Sequence, residues 1–406
     1  MSAGSAAASL RVEVISHPAR FSALRREWNA LLRESRVDTI FLTWEWLWTW
    51  WQVFSPGREL RIIALWDGKH LVGLAPFLKR PVSYLPGLVF DRLEFLASGE
   101  EEADEICSDY LNFIAHRDYE QLVVRTLAHC LTTTLYQEWD EIVLSALEGN
   151  NPYGEWLPDL FPPPRYLVTR RPLSTSFRLS LPASWEEYLQ SLSRNTRAQV
   201  RRSLRALEEA GEWRLHRPTT REELSAAEET LRTLHQSRWT KRGKPGVFAS
   251  ERFCTFHYRM MRYLFAQGQL DLVTLIVKGE PIGCLYNLRY GDTVFFYQSG
   301  IREVADKHLR PGVLLHVLAI REALGQGFST YDFLRGEMRY KRSLGGRPCP
   351  LVELRIVCQR WQETLRQAIQ KVKRRLRTRN SPVPRREQHY VQIGDCLRAA
   401  NRHPFG

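Results

Sequence analysis

The chain has 406 residues, of which 44% are hydrophobic and 25% are charged. This length suits two or three domains, and the composition excludes a wholly disordered, collagen-like or fibrous protein. The 58 Lys and Arg residues exceed the 45 Asp and Glu residues, which gives a formal net charge of +13. Such a surplus favours anionic partners, namely phosphates, nucleic acid or an acidic membrane face.

The cysteines and the apolar segments bear on localisation. The seven cysteines are scattered and form no C-x-x-C pair, which favours free thiols in a reducing compartment. The first residues lack the pattern of a signal peptide, and no stretch approaches the roughly 18 apolar residues of a membrane span. We therefore expect a cytoplasmic protein, and its positive charge could hold it at the inner membrane face.

The first half of the chain predicts alternating helices and strands. In chain order we expect strand 11–15, helices 19–32 and 44–54, strands 60–66, 70–78 and 92–96, helix 119–130 and strand 141–144. Five tryptophans crowd the helix at 44–54, and we expect them to be core rather than a stacking surface for a ligand. The proline-rich stretch 150–172 predicts a crossover between domains.

The second half repeats this plan. We expect helices 185–192, 195–210, 220–239 and 250–267, strands 270–277, 281–289 and 293–299, helix 313–326, and strands 330–334 and 351–357. A strand, glycine turn and return strand occur both at 64–73 and at 275–283, which favours duplication. The predicted organisation is an N-terminal domain with its crossover over 1–172, a second domain over 173–357, and a basic C-terminal segment over 358–406.

The C-terminal segment holds much of the positive charge. Between Cys358 and Tyr390 ten Lys or Arg residues face two Glu residues, a local charge of +8. Five apolar residues recur at helical spacing: Trp361, Leu365, Ile369, Val372 and Leu376. This pattern predicts an amphipathic helix that packs its apolar stripe on the protein while its basic face meets water, an anionic membrane surface or a polyanion.

A helix start after the predicted strands is a candidate anion site. Arg310, Pro311 and Gly312 precede an apolar helix, whose first-turn amides have no partner within the helix. Such a start can hold a phosphate, and Arg310 would add a charged contact. Ordinary helix capping by Pro-Gly is the alternative.

The strand at 330–334 carries a carboxylate inside an apolar run. Alternation puts Tyr331 and Phe333 on one face and Asp332 on the other. Asp332 could be a base with a raised pKa, or it could form a structural ion pair with Arg335 or Lys341.

A third candidate lies on the helix at 220–239. His235 falls on its inner stripe, with Arg238 and Trp239 beside it and a basic glycine-rich loop following. These residues could line a cleft for an anionic ligand, or His235 could be a core histidine. The eleven histidines form no pair at ligand spacing, so we expect no metal. The four arginines Arg194, Arg197, Arg201 and Arg205 form one helical stripe, which is either a solvated face or a polyanion site.

Five short blocks carry a family resemblance: Phe41-x-x-Trp44-Glu45-Trp46, Gly73-Leu74-Ala75-Pro76, Leu234-His235-x-x-Arg238-Trp239, Arg310-Pro311-Gly312-x-Leu314-Leu315, and Tyr331-Asp332-Phe333-Leu334-Arg335-Gly336-x-x-x-Tyr340-Lys341. Together they resemble the acetyltransferases of the cellulose-biosynthesis CelD type. That family belongs to the GNAT superfamily and is akin to the Fem-type aminoacyltransferases.

The resemblance implies a fold and a reaction. The fold is α/β, with tandem GNAT-like domains, each a mixed, mostly antiparallel sheet flanked by helices. The reaction is transfer of an acyl group from acyl-CoA, with acetyl-CoA the expected donor, to an amine or hydroxyl of an envelope, polysaccharide or amine acceptor.

The resemblance also implies a donor site. The diphosphate of the donor would lie on Arg310, Pro311, Gly312, Val313 and Leu314, although the superfamily signature has Gly or Ala where this chain has Leu314. The resemblance fixes no catalytic base. Our hypothesis is that Asp332, His235 or a water accepts the acceptor's proton, that Tyr297 protonates the leaving thiolate, and that five residues contact the substrate: Arg238, Trp239, Arg335, Tyr340 and Lys341.

Two other functions remain open. The basic stripe and tail suit an aminoacyltransferase that uses charged tRNA, as in the Fem-type relatives, although the sequence favours nucleic acid less than acyl-CoA. The third hypothesis is a non-catalytic scaffold that is held at an anionic surface by its tail.

Overall fold

A computed structural model describes residues 10–379, which form two compact units. Of these residues, unit 1 contains 10–100, 106–173 and 350–379, and unit 2 contains 101–105 and 174–349. The predicted organisation assigned residues 350–357 to the second domain, whereas the structure groups them with unit 1. The reason is strand pairing, because Leu351 to Val357 pair with a strand of unit 1. The tail from residue 380 lies outside the described residues.

Unit 1 is a mixed sheet with helices. Its strands are β1 (Arg11–Ile15), β2 (Glu59–Asp67), β3 (His70–Leu85), β4 (Leu88–Phe95), β5 (Ile114–Ala115), β6 (Glu141–Glu148), the first part of β7 (Tyr166–Ser180) and most of β13 (Arg347–Cys358). Its helices are α1 (Pro18–Ala23), α2 (Arg25–Arg33), α3 (Trp44–Phe54), α4 (Glu120–Thr132), α5 (Pro152–Trp156) and α12 (Trp361–Arg379). The strand order is β1-β2-β3-β4-β6-β13, and β4 and β6 are parallel.

Unit 2 has the same kind of architecture. Its strands are the last part of β7, β8 (Trp213–His216), β9 (Leu270–Val277), β10 (Glu280–Tyr290), β11 (Thr293–Ile301) and β12 (Thr330–Arg335). Its helices are α6 (Trp185–Ser191), α7 (Arg194–Glu209), α8 (Arg221–Thr240), α9 (Glu251–Ala266), α10 (Pro311–Gly325) and α11 (Arg339–Ser343). The strand order is β7-β12-β11-β10-β9-β8, and β11 and β12 are parallel.

The two units repeat one strand–helix–strand motif. In unit 1 the motif is β4-α4-β6, and in unit 2 it is β11-α10-β12. In each motif the two strands are parallel and pair over a short stretch only, from Arg92 to Glu94 in β4 and from Thr293 to Phe295 in β11. This repetition confirms the predicted tandem α/β fold.

The tryptophan-rich helix α3 is core, as predicted. Thr43 caps its start by accepting a hydrogen bond from the Trp46 N–H, and the Trp46 and Trp50 side chains are fully buried. The Trp46 indole N–H donates to Ser108 Oγ at 2.9 Å, so its one polar atom is satisfied inside the unit.

Three local features differ from the sequence-based prediction. The helix expected at 19–32 is two helices, α1 and α2, which meet at Leu24. Strands β7 and β8 were not predicted. In α12 the side chains of Trp361 and Leu365 are 67% and 43% exposed. Glu363 is buried, and it accepts hydrogen bonds from Arg355 and Arg366. The side chains of Val372 and Leu376, the last two residues of the predicted stripe, lie outside the described part of the chain. Within residues 10–379, no helix is both long and apolar enough to cross a membrane.

Candidate active site

The central feature of unit 2 is a gap between two parallel strands. β11 and β12 pair at Thr293↔Thr330, Val294↔Tyr331 and Phe295↔Asp332, and their pairing ends there. β11 then continues to Ile301 along β10, while β12 is bonded on its other side to β7. The two strands therefore diverge, and their facing backbone groups can receive an extended ligand.

A bulge in β11 lies directly beyond the point of divergence. β10 pairs Asn287 with Phe296 and Tyr286 with Gln298, so the ladder skips Tyr297. The Phe296 ring contacts His316 of α10, with centroids 4.4 Å apart, whereas the Tyr297 ring contacts His257 of α9, with centroids 4.5 Å apart. The bulge thus aims Tyr297 to the sheet face that carries α9, and bulges of this kind are common beside active sites.

The start of α10 offers unpaired backbone amides near this gap. Arg310 is the N-cap residue and makes no side-chain cap, and no acidic residue occupies the first turn. The N–H groups of Gly312 and Val313 have no acceptor within the helix, and the helix dipole is positive here. Because α10 follows β11 and leads to β12, it begins at the end of the sheet where these strands diverge.

Leu314 stands where the superfamily signature has a small residue. Its side chain is fully buried in the core of unit 2, and its N–H donates to the Arg310 carbonyl at 2.9 Å. Leu314 therefore contributes packing rather than a free amide. By contrast, a Cβ at position 312 would come no closer than 3.8 Å to Ile301, so the backbone there stays open to a ligand.

Asp332 has the predicted orientation, and it has a charged partner that the sequence did not indicate. Tyr331 and Phe333 lie in the core of unit 2, and Asp332 lies on the opposite face. Asp332 Oδ2 accepts a hydrogen bond from Arg178 Nε at 2.9 Å, and Oδ1 accepts one from the Leu334 N–H at 2.7 Å. Arg178, on β7, is a partner that the sequence analysis did not identify, because β7 itself was not predicted.

Lys341 holds the end of β12. Its Nζ donates to three consecutive carbonyls, those of Phe333 at 2.8 Å, Leu334 at 3.0 Å and Arg335 at 2.7 Å, and its side chain is buried. These bonds use all three donors of an ammonium group. Leu334 has a φ of 56°, so Lys341 and Asp332 together fix a strained turn at the end of β12. The Arg335 guanidinium bonds Glu105 at 3.3 Å.

His235 lies on the inner stripe of α8, as predicted. It is buried against Phe248 and Trp239, with ring centroids 5.0 and 5.9 Å away, and its Nδ1 lies 3.1 Å from Gln236 Oε1. Burial lowers the pKa of His235 to about 4, so its ring is neutral near pH 7. These contacts favour the core-histidine interpretation.

Arg238 is a half-buried cation without a hydrogen-bonding partner among residues 10–379. Burial lowers its pKa, and repulsion from Arg242 lowers it further. Tyr340, on α11, lies close enough for its pKa to feel the Arg238 charge, although burial has the larger effect and raises it. The Tyr340 ring in turn stacks on His316 of α10, with centroids 5.0 Å apart and an interplanar angle of 23°. Tyr340 thus stacks on α10 and lies within electrostatic range of Arg238 on α8.

Three residues of this region were missed by the sequence analysis. His316 of α10 lies 3.0 Å from the Tyr331 hydroxyl, and burial lowers its pKa to about 3. His257 and Tyr286 form one aromatic cluster with Tyr297. The inner positions of His257 on α9 and His316 on α10 were visible as helical periodicity, whereas Tyr286 lies on β10 and its ring contacts depend on sheet register. Among the described residues, no group of three or more His, Cys, Asp or Glu side chains could hold a metal ion.

The uncapped helix start at Arg310 to Leu314 lies where the family resemblance implies that the donor diphosphate binds. Residues 194–342 match the family model described as an acetyltransferase (GNAT) domain. This segment is therefore similar to a GNAT-type acetyltransferase domain. No curated protein sequence matches the chain.

Solved structures resemble the chain as well. FemX aligns with a TM-score of 0.58 at 12% identity, over 88% of this chain and 99% of that one. L-PGS from Bacillus licheniformis aligns with a TM-score of 0.47 at 12% identity, over 88% and 97%. A tandem GNAT protein from the clavulanic acid biosynthesis pathway aligns with a TM-score of 0.43 at 9% identity, over 86% and 98%. The FemX likeness concerns the fold alone, and the other two alignments are too loose to carry an argument.

Proposed function

We propose that this protein transfers an acyl group, with acetyl-CoA as the donor, to an amine or hydroxyl of an acceptor molecule. The observation that carries this proposal is the three-residue pairing of β11 and β12 beside the uncapped start of α10. The acyl arm of the donor would enter the strand gap. Its diphosphate would accept hydrogen bonds from the Gly312 and Val313 amides, with Arg310 adding charge.

The chemistry requires one attack and two proton movements. The acceptor's nitrogen or oxygen attacks the thioester carbonyl carbon, and the carbon–sulfur bond breaks. A backbone N–H of β11 beyond Phe295 would stabilise the oxyanion. Tyr297 would give its phenolic proton to the leaving thiolate, and the acceptor's proton would pass to water. Asp332 and His235 suit a base less well, since Asp332 already accepts two hydrogen bonds and His235 has a low pKa.

The acceptor would carry a negative charge. A half-buried guanidinium without a partner is costly, and an anionic group on the substrate would compensate it. Arg242 lies just beyond the end of α8, within electrostatic range of Arg238, and its guanidinium lies 5.9 Å from the centre of the Trp239 ring. This charge fits the phosphate or carboxylate of an envelope or polysaccharide precursor, which agrees with the CelD-type resemblance.

An acceptor screen tests this proposal. Release of free CoA thiol would be measured from acetyl-CoA with pairs of amines and amino sugars that differ only by a phosphate. We expect the phosphorylated member of a pair to react with the lower KM, and Arg238→Gln to abolish that preference. Ser237→Ala, one residue away on the exposed side of α8, is the matched control. Thiol release that is equal within every pair would contradict the acceptor assignment, and no release at all would contradict the reaction.

A tRNA-dependent aminoacyl transfer is the alternative function. Arg194, Arg201 and Arg205 of α7 are exposed, which suits a polyanion, whereas Arg197 donates to the Gln190 and Leu192 carbonyls. Salt-sensitive tRNA binding without saturable acetyl-CoA binding would favour this alternative.

We also propose that α12 contacts an anionic membrane surface. Its exposed Trp361 and Leu365 lie one turn apart, and seven Lys or Arg residues against one Glu occupy the helix sequence. An apolar pair beside a cationic helix is the pattern of interfacial binding.

A further inference from the structure

Unit 1 has a groove whose lining residues all belong to this unit. Its volume is about 630 Å³, which lies within the usual range for small-ligand sites. Its polar and aromatic lining includes Arg36, Arg117, Gln121, Arg125 and Trp156. Three guanidinium groups around one groove of this size indicate an anionic occupant.

One arginine of the groove is already neutralised. Arg36 makes two hydrogen bonds of 2.9 Å to the Glu120 carboxylate, and the Tyr153 hydroxyl donates to the same carboxylate at 2.9 Å. Burial alone would raise the pKa of Glu120, but these hydrogen bonds outweigh it and lower the pKa. Glu120 therefore stays ionised. Its charge is compensated mainly by Arg36 and to a smaller extent by Arg117, so that it opposes a bound anion only weakly.

Two arginines of the groove have N–H groups that remain available to a ligand. Arg125 makes no hydrogen bond or ion pair with any residue from 10 to 379. Arg117 makes one long hydrogen bond, 3.4 Å to the Ser35 carbonyl, and its remaining donors are uncommitted. Asp118, the other acid of the lining, is 85% exposed, so solvent screens it.

Spacing places the uncommitted donors on one wall. Gln121 and Arg125 lie four residues apart on α4, which is one helical turn, and Arg117 lies on the short 3-10 turn Arg117–Tyr119 directly before α4. The half-buried indole of Trp156, which follows β6 on α5, also borders the groove. A set of guanidinium and amide donors near an aromatic ring suits a phosphate-bearing ligand that also has a flat ring.

The groove differs from the proposed donor site at the start of α10. It lies in the β4-α4-β6 motif, the counterpart of β11-α10-β12, but the first turn of α4 contains Glu120 where that of α10 has no acid. A carboxylate at that point occupies the positive end of the helix dipole. Anion binding here would depend on side chains instead of backbone amides.

We propose that the groove of unit 1 binds a nucleoside diphosphate or a sugar derivative of one. The diphosphate pairs with Arg117 and Arg125, Gln121 bonds the sugar or the base, and Trp156 packs on the base. The proposal does not depend on the acyl-transfer reaction, because the residues concerned lie wholly in unit 1.

Calorimetric titration of the full chain with UDP tests the proposal. Saturating CoA is included, so that a donor site in unit 2 is already filled. We expect one equivalent of UDP to bind, Arg125→Gln to weaken binding at least tenfold, and Arg33→Gln, an exposed arginine outside the groove, to leave it unchanged. A second titration with inorganic pyrophosphate should give weaker binding than UDP.

Three results would overturn the proposal: no saturable heat with UDP or ADP, equal UDP affinity in Arg125→Gln and the parent chain, or pyrophosphate binding as tight as UDP. A UDP titration without CoA distinguishes a failure of this proposal from a failure of the acyl-transfer proposal. If CoA does not bind, UDP binding and its weakening in Arg125→Gln still test the groove by themselves.

Discussion

The Asp332 carboxylate accepts a hydrogen bond of 2.7 Å from the backbone N–H of Leu334, two residues along β12, where the backbone has a φ of 56°. A non-glycine residue in this left-handed region needs support from its surroundings. Asp332 supplies part of that support, and the Lys341 ammonium supplies the rest through the neighbouring carbonyls. The end of β12 is thus rigid where it borders the strand gap.

Asp332 substitutions separate a structural role from a catalytic one. Asp332→Ala leaves the Leu334 N–H and the Arg178 guanidinium without their acceptor, so we expect urea unfolding to show a loss of about 1–3 kcal/mol. Asp332→Asn keeps one acceptor oxygen and should lose less. If Asp332 were the general base, Asp332→Asn would fold normally and still lose about 10²–10⁴-fold in kcat. We expect its kcat to stay within tenfold of the parent chain.

Tyr297→Phe tests the proposed proton donor. The substitution removes only the hydroxyl from the bulge of β11, so packing against His257 remains. We expect kcat for thiol release to fall about 10²–10⁴-fold, while KM for acetyl-CoA changes little. Tyr258→Phe on α9 is the matched control and should keep the parent kcat. An unchanged kcat in Tyr297→Phe would remove this residue from the mechanism.

Burial of His235 gives stability a pH dependence. The pKa of His235 is about 4 in the folded protein, below its ordinary value of 6.5, so the unfolded chain binds the extra proton between these two values. The stabilisation is present above pH 6.5 and is lost as the pH falls towards 4. We expect His235→Gln to reduce the slope of unfolding free energy in this window by about 1.4 kcal/mol per pH unit. A parallel slope in both proteins would show that His235 is not held neutral.

Trp361 and Leu365 provide the test of membrane contact. We expect the full chain to sediment with vesicles containing anionic phosphatidylglycerol but not with neutral phosphatidylcholine vesicles. Trp361→Ser should weaken the binding, because it removes exposed apolar surface and leaves the charge unchanged. Val89→Ser, another exposed apolar position of unit 1, is the control. Binding that is identical in Trp361→Ser and the parent chain would leave no role for the apolar pair.

Much of the fold was accessible from sequence because it follows from local periodicity. The alternation of Tyr331, Asp332 and Phe333 gave the correct faces of β12, and the stripe of α8 placed His235 inside. The side-chain partners that residues find on neighbouring strands could not be predicted from the sequence. The Arg178–Asp332 pair depends on the register between β7 and β12, which local pattern does not encode.

In the candidate site, too, local features could be predicted from sequence and contacts across the sheet could not. The uncapped start of α10 could be predicted, since Pro and Gly at a helix start are a local signal. The gap beside it and the bulge at Tyr297 could not, because both arise from where neighbouring strands stop pairing. The exposure of Trp361 and Leu365 on α12 could not be predicted for a related reason. Arg366 is a local neighbour of the buried Glu363, but the other partner, Arg355, lies on β13 and is brought to Glu363 only by the fold.

The most direct test of the central claim is calorimetric titration of acetyl-CoA into Gly312→Asp and Gly312→Ala. Both side chains fit, since the nearest atom to a Cβ at this position is 3.8 Å away. An aspartate in the first turn favours the helix dipole but repels a diphosphate, so thermal stability should not fall. We predict saturable binding to the parent chain, nearly the same affinity for Gly312→Ala, and at least tenfold weaker binding to Gly312→Asp. Equal affinity for all three chains would contradict diphosphate binding at the start of α10.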